Sequence, residues 1–271
     1  MRYNERMMNR TYKLGIVGSG EMAHAILEGA LACGVLSPDE VICSARREES
    51  LQKMEALGVQ TTLDNESVAR LSRYVLIGVR PQDFPAAASS VYGLAGDVIS
   101  IMAGIRSEKI RALTGAKRVC RVMPNLPCRI GYGACGVDVS AFDEEEGAFL
   151  LRLFGAKGKA VSVKEEELDA VTGISGSGPA YVYFFLQSLT RAGVEQGLSE
   201  EVSRTLAIQT VIGGAKMAES SSLPFDKLID SVCSKGGTTI RAVESLQRED
   251  FSGLISRAVN ACVERSKELS R

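Results

Sequence analysis

The segment Lys13-Leu14-Gly15-Ile16-Val17-Gly18-Ser19-Gly20-Glu21-Met22-Ala23 sets a β-branched run ahead of G-x-G-x-x-A and an amphipathic stretch behind it. That spacing suits phosphate chemistry. Gly18 permits a tight turn, Gly20 leaves backbone room for a pyrophosphate, and Ala23 lets the following helix pack close to the strand. The N–H groups of Ser19, Gly20, Glu21 and Met22 at the helix start would then face the phosphates. A bare glycine-rich loop at a strand end is the plainer alternative, and the strand before, helix after and alternating pattern downstream favour a dinucleotide.

The end of the next β-branched run, Val41-Ile42-Cys43-Ser44-Ala45-Arg46-Arg47, lacks the acid that would bond an adenosine ribose and repel a 2′-phosphate. Ser44, Arg46 and Arg47 offer a hydroxyl and two permanent cations instead, which favours NADPH and leaves NADH open. Arg46 and Arg47 could equally be solvated residues at a helix start. Val79-Arg80-Pro81-Gln82 and Met102-Ala103-Gly104-Ile105 fall at later strand ends, where small residues and proline let backbone approach a flat ring. Val79, Arg80, Pro81, Ala103 and Gly104 therefore join the cofactor candidates. Asn125, held between Pro124 and Pro127, could orient a nicotinamide or a substrate, or simply form an Asx turn.

Near the other end, Gly173-Ile174-Ser175-Gly176-Ser177-Gly178-Pro179-Ala180-Tyr181 and Ser234-Lys235-Gly236-Gly237-Thr238-Thr239-Ile240 carry more small polar residues than helix packing needs. A glycine pair followed by threonines at a helix start presents free N–H groups beside hydroxyls, a receptor for a small carboxylate. Either segment alone also reads as a flexible interhelical loop. His24 is the sole histidine, so imidazole clusters are excluded, and we expect no metal site. The seven cysteines are odd in number and never spaced C-x-x-C, which argues against a disulfide framework.

Positioning these loops requires strands that end at one edge of a sheet. Lys13 to Val17, Glu40 to Cys43, Tyr74 to Val79, Asp97 to Met102, Arg118 to Val122 and Gly158 to Val163 read as strands, with Gly58 to Thr61 a shorter candidate. Glu21 to Cys33, Glu48 to Leu57, Asp83 to Val91 and Ser107 to Leu113 read as the intervening helices. This is the doubly wound α/β pattern, with ligands at the carboxyl ends of the strands. After Lys164 strand-like runs stop. Helices are expected from Pro179 to Ala192, after an N-cap at Ser199, from Pro224, from Thr238 to Gln247 and from Phe251 to Leu269. Tyr181 to Leu186 is apolar nearly all round, which in a domain of about 100 residues points to cover by a second subunit.

With 45% hydrophobic and 24% charged residues in 271, the chain is ordinary globular material, not disordered or fibrous. A net charge of −1 gives no overall field for nucleic acid or an anionic membrane. No apolar run approaches a membrane span, and the first residues lack a secretory core, so a cytoplasmic protein is expected, with the first twelve residues loosely ordered.

Taken in order, these segments resemble pyrroline-5-carboxylate reductases. The resemblance runs from Lys13 to the C-terminus. It rests on Gly18 to Ala23, Val79 to Gln82, Ala103-Gly104-Ile105, Met123-Pro124-Asn125, Gly176 to Tyr181 and, most specifically, Gly236-Gly237-Thr238-Thr239 within Ser231 to Leu246. It implies NAD(P)H-dependent reduction of 1-pyrroline-5-carboxylate to L-proline, the last step of proline biosynthesis. It further implies an N-terminal Rossmann-type doubly wound parallel sheet over residues 1–164 and an all-α C-terminal dimerisation domain over 165–271. Homodimers would form through the C-terminal helices and often stack into larger rings. The substrate carboxylate would lie on Gly236, Gly237, Thr238 and Thr239 of one subunit, flanked by Ser234 and Lys235, close to the nicotinamide bound by another. Thr238 and Thr239 become the catalytic candidates, Thr239 toward the ring nitrogen. Lys235 stands where the family commonly has proline, Leu126 where threonine is usual, and Arg80 where lysine is frequent. A related imine or β-hydroxyacid reductase stays open, since Lys216, Lys227, Lys235 and Lys267 supply candidates for the lysine that acid reductases need. A nucleotide-binding regulator without activity stays open as well.

Overall fold

The structure, a computed structural model, describes residues 11–270. Of the twelve residues expected to be loosely ordered, 1–10 lie outside the described residues, and Tyr12 already opens the first strand.

Eight strands form one sheet in the order β3-β2-β1-β4-β5-β6-β7-β8. These are β1 (Tyr12–Val17), β2 (Val41–Ser44), β3 (Gln60–Thr62), β4 (Ser72–Ile77), β5 (Asp97–Ser100), β6 (Arg118–Met123), β7 (Gly133–Val137) and β8 (Gly158–Ser162). From β3 through β6 every pairing is parallel; β7 runs antiparallel to β6, and β8 parallel to β7. Because β1 lies between β2 and β4, the chain reverses its direction of travel across the sheet there, and a crevice opens at the carboxyl ends of those strands.

Helices α1 (Glu21–Ala32), α2 (Gln52–Glu55), α3 (Asn65–Leu71), α4 (Phe84–Val91), α5 (Ser107–Thr114) and α6 (Glu144–Gly155) connect the strands. Side chains alternate between two buried layers, as a sheet covered on both faces requires. Leu14, Ile16, Tyr74, Leu76, Ile99 and Val122 pack with Leu27 of α1 and Leu150 of α6. Val17, Val75, Ile77, Val98 and Val119 pack with Val68, Phe84 and Ile110 on the opposite face. Each fully buried aliphatic or aromatic side chain contributes about 1.5–3 kcal/mol, so these layers dominate the stability of the sheet.

The strand from Gly133 to Val137 was not expected from the sequence. Its GACGV run has no hydrophobic alternation, and pairing imposes its extended form. Gly158 faces it at φ +147°, where a Cβ would come within 2.0 Å of the Gly133 carbonyl oxygen. Only a glycine lets these two backbones meet so closely. The expected helix from Glu48 to Leu57 is instead a 3₁₀ turn, Glu48–Ser50, followed by the single turn α2. The carbonyl of Ser50 accepts the Ser19 hydroxyl (2.8 Å), which fixes this segment to the glycine loop. Helices α3 and α6, also unassigned in the sequence, both begin at aspartate caps: Asp64 accepts from the N–H groups of Glu66 and Ser67, and Asp143 from that of Glu146. Since α3 presents Asn65 to the crevice, its cap bears on the site. Asp64→Ala is expected to lower the unfolding free energy by about 1 kcal/mol, read as a shifted denaturant midpoint with unchanged slope.

After β8 come a short helix α7 (Leu168–Val171), a π-helical turn at Thr172–Gly176, and α8 (Gly178–Glu195), α9 (Glu200–Ser220), α10 (Phe225–Val232), α11 (Thr238–Arg248) and α12 (Phe251–Leu269). Ser199 caps α9, accepting from the Val202 N–H as its position implied. The described chain forms two compact units. One runs to Ser177 and takes back the last turns from Cys262; the other spans Gly178–Ala261. In the first, the Ser266 hydroxyl donates to Asp169 (2.6 Å). In the second, α8 and α9 pair closely where Gly193 meets Ser203, yet large apolar side chains stay exposed: Phe184 is 71% exposed and Phe225 76%. No helix among the described residues is long and apolar enough to cross a membrane.

Candidate cofactor crevice and substrate loop

The β1–α1 turn builds the floor of the crevice. Gly18 sits at φ +99°, and a Cβ there would lie 2.8 Å from the Val79 side chain and 3.0 Å from the Gly78 backbone. Its N–H donates to the Ser44 carbonyl and the Gly78 N–H to that of Val17, locking the ends of β1, β2 and β4 together. Gly20 is the N-cap of α1 and supplies no side-chain cap, so the first-turn N–H groups face the opening. A Cβ on Gly20 would meet only the Gly78 carbonyl, at 3.6 Å, which leaves the backbone approachable from the crevice.

Two adjoining hollows extend from this turn. The first, about 400 Å³, is lined by Gly18, Ser19, Arg46, Arg47, Asn65 and Asp83 among others. The second, about 320 Å³, is lined by Glu21, Met22, Ile101, Ala103, Met123 and Pro124, and both share Gly20, Val79 and Arg80. A positive helix start between a basic hollow and an apolar one matches a pyrophosphate flanked by a phosphorylated ribose and a flat ring. The residues present therefore fit a dinucleotide. Glu21 does not put a free charge beside the phosphates: it pairs with Lys53 and with Arg129 (3.3 Å), and the Lys53 hydrogen bond holds its carboxyl below the ordinary range.

Several candidates stand behind this surface. Ser44 is fully buried; its hydroxyl donates to the Asn65 side-chain oxygen (2.7 Å), and the Asn65 amide donates in turn to Ser90 (3.0 Å). Asn65 and Ser90, which the sequence did not single out, line the hollow in its place. A polar residue at a helix start is unremarkable in sequence, so no local signal marked Asn65. Ala23 packs under Gly78. Gly104 lies against Leu269 of the last helical turn, while Ala103 beside it lines the second hollow. Pro81 opens the 3₁₀ turn Pro81–Asp83 that leads into α4. Asn125 is 7% exposed and committed: its amide donates to the Ser175 carbonyl (3.0 Å) and its oxygen accepts from the Ala134 N–H (2.9 Å). It ties β7 and the π-helical turn to the loop after β6. His24 lies on α1 with its backbone N–H on the Gly20 carbonyl. Cys43, Cys120, Cys128 and Cys135 are buried, and burial pushes their thiols up, that of Cys43 to about 12.

In the second unit, Ser234 to Gly237 forms a turn before α11. Gly236 is left-handed at φ +73°, the Gly237 N–H donates to the Ser234 carbonyl (2.9 Å), and Gly237 caps α11 without a side chain. Thr238 and Thr239 occupy the first two helical positions, both exposed. The structure thus brings Ser234, Lys235, Gly236, Gly237, Thr238 and Thr239 together at one open helix start, the arrangement that receives a small anion.

A family model described as pyrroline-5-carboxylate reductase dimerisation matches residues 165–269, and one described as NADP oxidoreductase, coenzyme F420-dependent, matches residues 13–104. The chain is 37% identical over 267 residues to a pyrroline-5-carboxylate reductase of Arabidopsis thaliana, covering 96% of each chain. It is 36% identical to that of Synechocystis, covering 96% of this chain and 98% of the relative. Among solved structures, the pyrroline-5-carboxylate reductase of Coxiella burnetii is similar with a TM-score of 0.89 and 30% identity, covering 97% of this chain and all of that one. The Plasmodium falciparum enzyme, solved with NADP bound, gives 0.80 and 28% over 97% and 99%.

Proposed function

The chain belongs to the pyrroline-5-carboxylate reductase family, and on that basis we propose that it reduces 1-pyrroline-5-carboxylate to L-proline, the closing step of proline biosynthesis, with NADPH as the reductant and NADH as a weaker substitute. The observation that carries this is end-to-end likeness: relatives of one activity match both the sheet and the helices over nearly their whole lengths.

When bound, the cofactor supplies a hydride from its nicotinamide ring. The chain's own residues have three tasks. The glycine turn and the start of α1 hold the pyrophosphate, with Arg46 and Arg47 beside the 2′-phosphate. Val79, Ala103 and Pro124 form a surface flat enough for the ring. The N–H groups of Gly236 and Gly237 and the Thr238 hydroxyl take the substrate carboxylate, and Thr239 hydrogen-bonds the ring nitrogen, which carries the proton that makes the imine carbon electrophilic. That proton stays on nitrogen as the C=N bond becomes C–N, so no separate acid is required. Alignment of the carbon within about 3–3.5 Å of the hydride donor is then the main demand.

The helical half would act as a homodimer, stacked further into a ring. Support comes from the exposed apolar residues of α8 and α10, too many for a helical unit to leave in water. The division of labour falls near residue 164, with nucleotide binding before it and substrate binding and association after it. We place the enzyme in the cytoplasm.

The test is NADPH oxidation on addition of pyrroline-5-carboxylate, with one L-proline formed per NADPH consumed. Oxidation driven by a β-keto acid instead would move the chain to the acid reductases, and no oxidation with either would make it a binding protein.

A further inference from the structure

Asp83 is placed where an N-cap carboxylate usually bonds helix N–H groups, directly before α4. It makes no such bond. Its backbone is helical and closes the 3₁₀ turn, with its N–H on the Arg80 carbonyl (2.9 Å). The carboxylate is free to turn outward, and each of its oxygens meets a different arginine: Oδ1 accepts from Arg46 (3.3 Å) and Oδ2 from Arg80 Nε (3.0 Å). Arg46 follows β2 and Arg80 follows β4, the two neighbours of β1. The pair Arg46–Asp83 therefore spans the crevice above the glycine turn, in the hollow that Asn65, Ser50 and Ser90 also line. Asp83 is shielded, with its side chain 22% exposed, whereas Arg46 is 78% exposed.

We propose that Asp83 is a specificity-determining residue of the cofactor site: its carboxylate competes with the 2′-phosphate for Arg46 and so lowers the preference of this chain for NADPH over NADH. The inference rests on the crevice being the dinucleotide site with Arg46 at the 2′-phosphate. Arg46 meets Asp83 through Nη1, so a phosphate that takes the Nη1/Nη2 edge in the fork geometry must displace the aspartate or share that nitrogen with it. A cofactor without that phosphate leaves the pair intact and incurs no such cost. Arg80 offers a second cation to the same carboxylate, which holds Asp83 in place when Arg46 leaves. An arginine pair this exposed is worth little by itself, so the shift is modest and directional.

The experiment is a fluorescence titration of NADPH and of NADH against the wild-type chain, Asp83→Asn, Asp83→Ser, Arg46→Ala and the double variant Arg46→Ala/Asp83→Asn. Both Asp83 variants should tighten the NADPH Kd about two- to fivefold and leave the NADH Kd where it was. In the Arg46→Ala background the Asp83→Asn gain should vanish, which separates competition for Arg46 from a general loss of negative charge. Unchanged or weaker NADPH binding in both Asp83 variants, equal tightening of both cofactors, or a gain that survives without Arg46 would each overturn the proposal. If Arg46→Ala alters neither cofactor, the placement of the 2′-phosphate is what fails, a result distinct from an inert Asp83 beside a responsive Arg46.

Discussion

Thr239→Ala is expected to lower kcat by about a hundredfold or more while NADPH binds as it does to the unaltered chain. The size follows from what the hydroxyl would do. A donor or acceptor fixed on the reacting nitrogen acts where charge changes most between imine and amine, and groups so placed are worth two to three orders of magnitude in turnover. The split follows from position: Thr239 lies in the first turn of α11, whereas the crevice for the dinucleotide is built from β1, β2 and β4. Thr239→Ser should recover most of the rate, because it restores the hydroxyl and removes only a methyl group. Thr238→Ala should raise KM more than it lowers kcat, as expected of a group that holds the carboxylate equally before and during hydride transfer. Steady-state kinetics with NADPH fluorescence on the same samples gives both readouts. Equal loss of rate and of cofactor binding in Thr239→Ala, or a Thr239→Ser variant as slow as Thr239→Ala, would remove Thr239 from the reacting atoms.

What the sequence revealed of this site, and what it hid, divides along physical lines. Glycine, proline and cap residues act locally, so the loops they punctuate were legible. The turn at Gly18 to Ala23, the 3₁₀ turn at Pro81, the start of α11 at Thr238 and both ends of α12 all lie where the residue types put them. Strand Gly133–Val137 was hidden because two glycines erase its alternation, and only the hydrogen bonds offered by β6 and β8 make it extended. The rim of the crevice was hidden for another reason. Ser44 and Arg46 are two residues apart at a strand end, and sequence alone does not say which of them is buried under Asn65 and which reaches solvent. Asn65 and Ser90 come from two helices that meet only because both cover the same face of the sheet. Asn125 was singled out for its stiff setting, and that setting commits both ends of its amide to backbone groups. Tyr181 to Leu186 announced either burial or a partner by its composition, and within the single chain Phe184 stays 71% exposed.

Arg118→Met is expected to cost about 3–5 kcal/mol of folding stability at neutral pH. Arg118 leaves β6 at the edge of the sheet opposite the crevice and joins two carboxylates. It grips Asp97 of β5 with two bonds (2.9 and 2.7 Å) and Glu146 of α6 with two more (2.5 and 2.8 Å), while Arg73 of β4 meets Glu146 from the other side (2.6 Å). Asp97 is fully buried and Glu146 nearly so, and the guanidinium stacks over Phe142 at 4.6 Å. Methionine would fill the stem's volume but leave Asp97 as an uncompensated charge in the protein interior, and that isolated charge is the main cost. The pH dependence gives an independent check. The Arg118 hydrogen bonds hold the Glu146 carboxyl at about 2, well below an ordinary glutamate. A carboxyl depressed in the folded state stabilises above its unfolded value near 4.3, and that contribution drains away as pH falls from about 5 toward 2. In Arg118→Met the largest cause of that depression is removed and only the Arg73 bond and the Asp143 N–H remain, so the variant should lose less stability than the wild type as pH falls from about 5 toward 2. Urea titrations of both proteins at pH 7, 5 and about 3.5 would show the gap narrowing with acidity. A gap that holds constant across that range would mean the loss comes from packing against Phe142 and not from the two carboxylates.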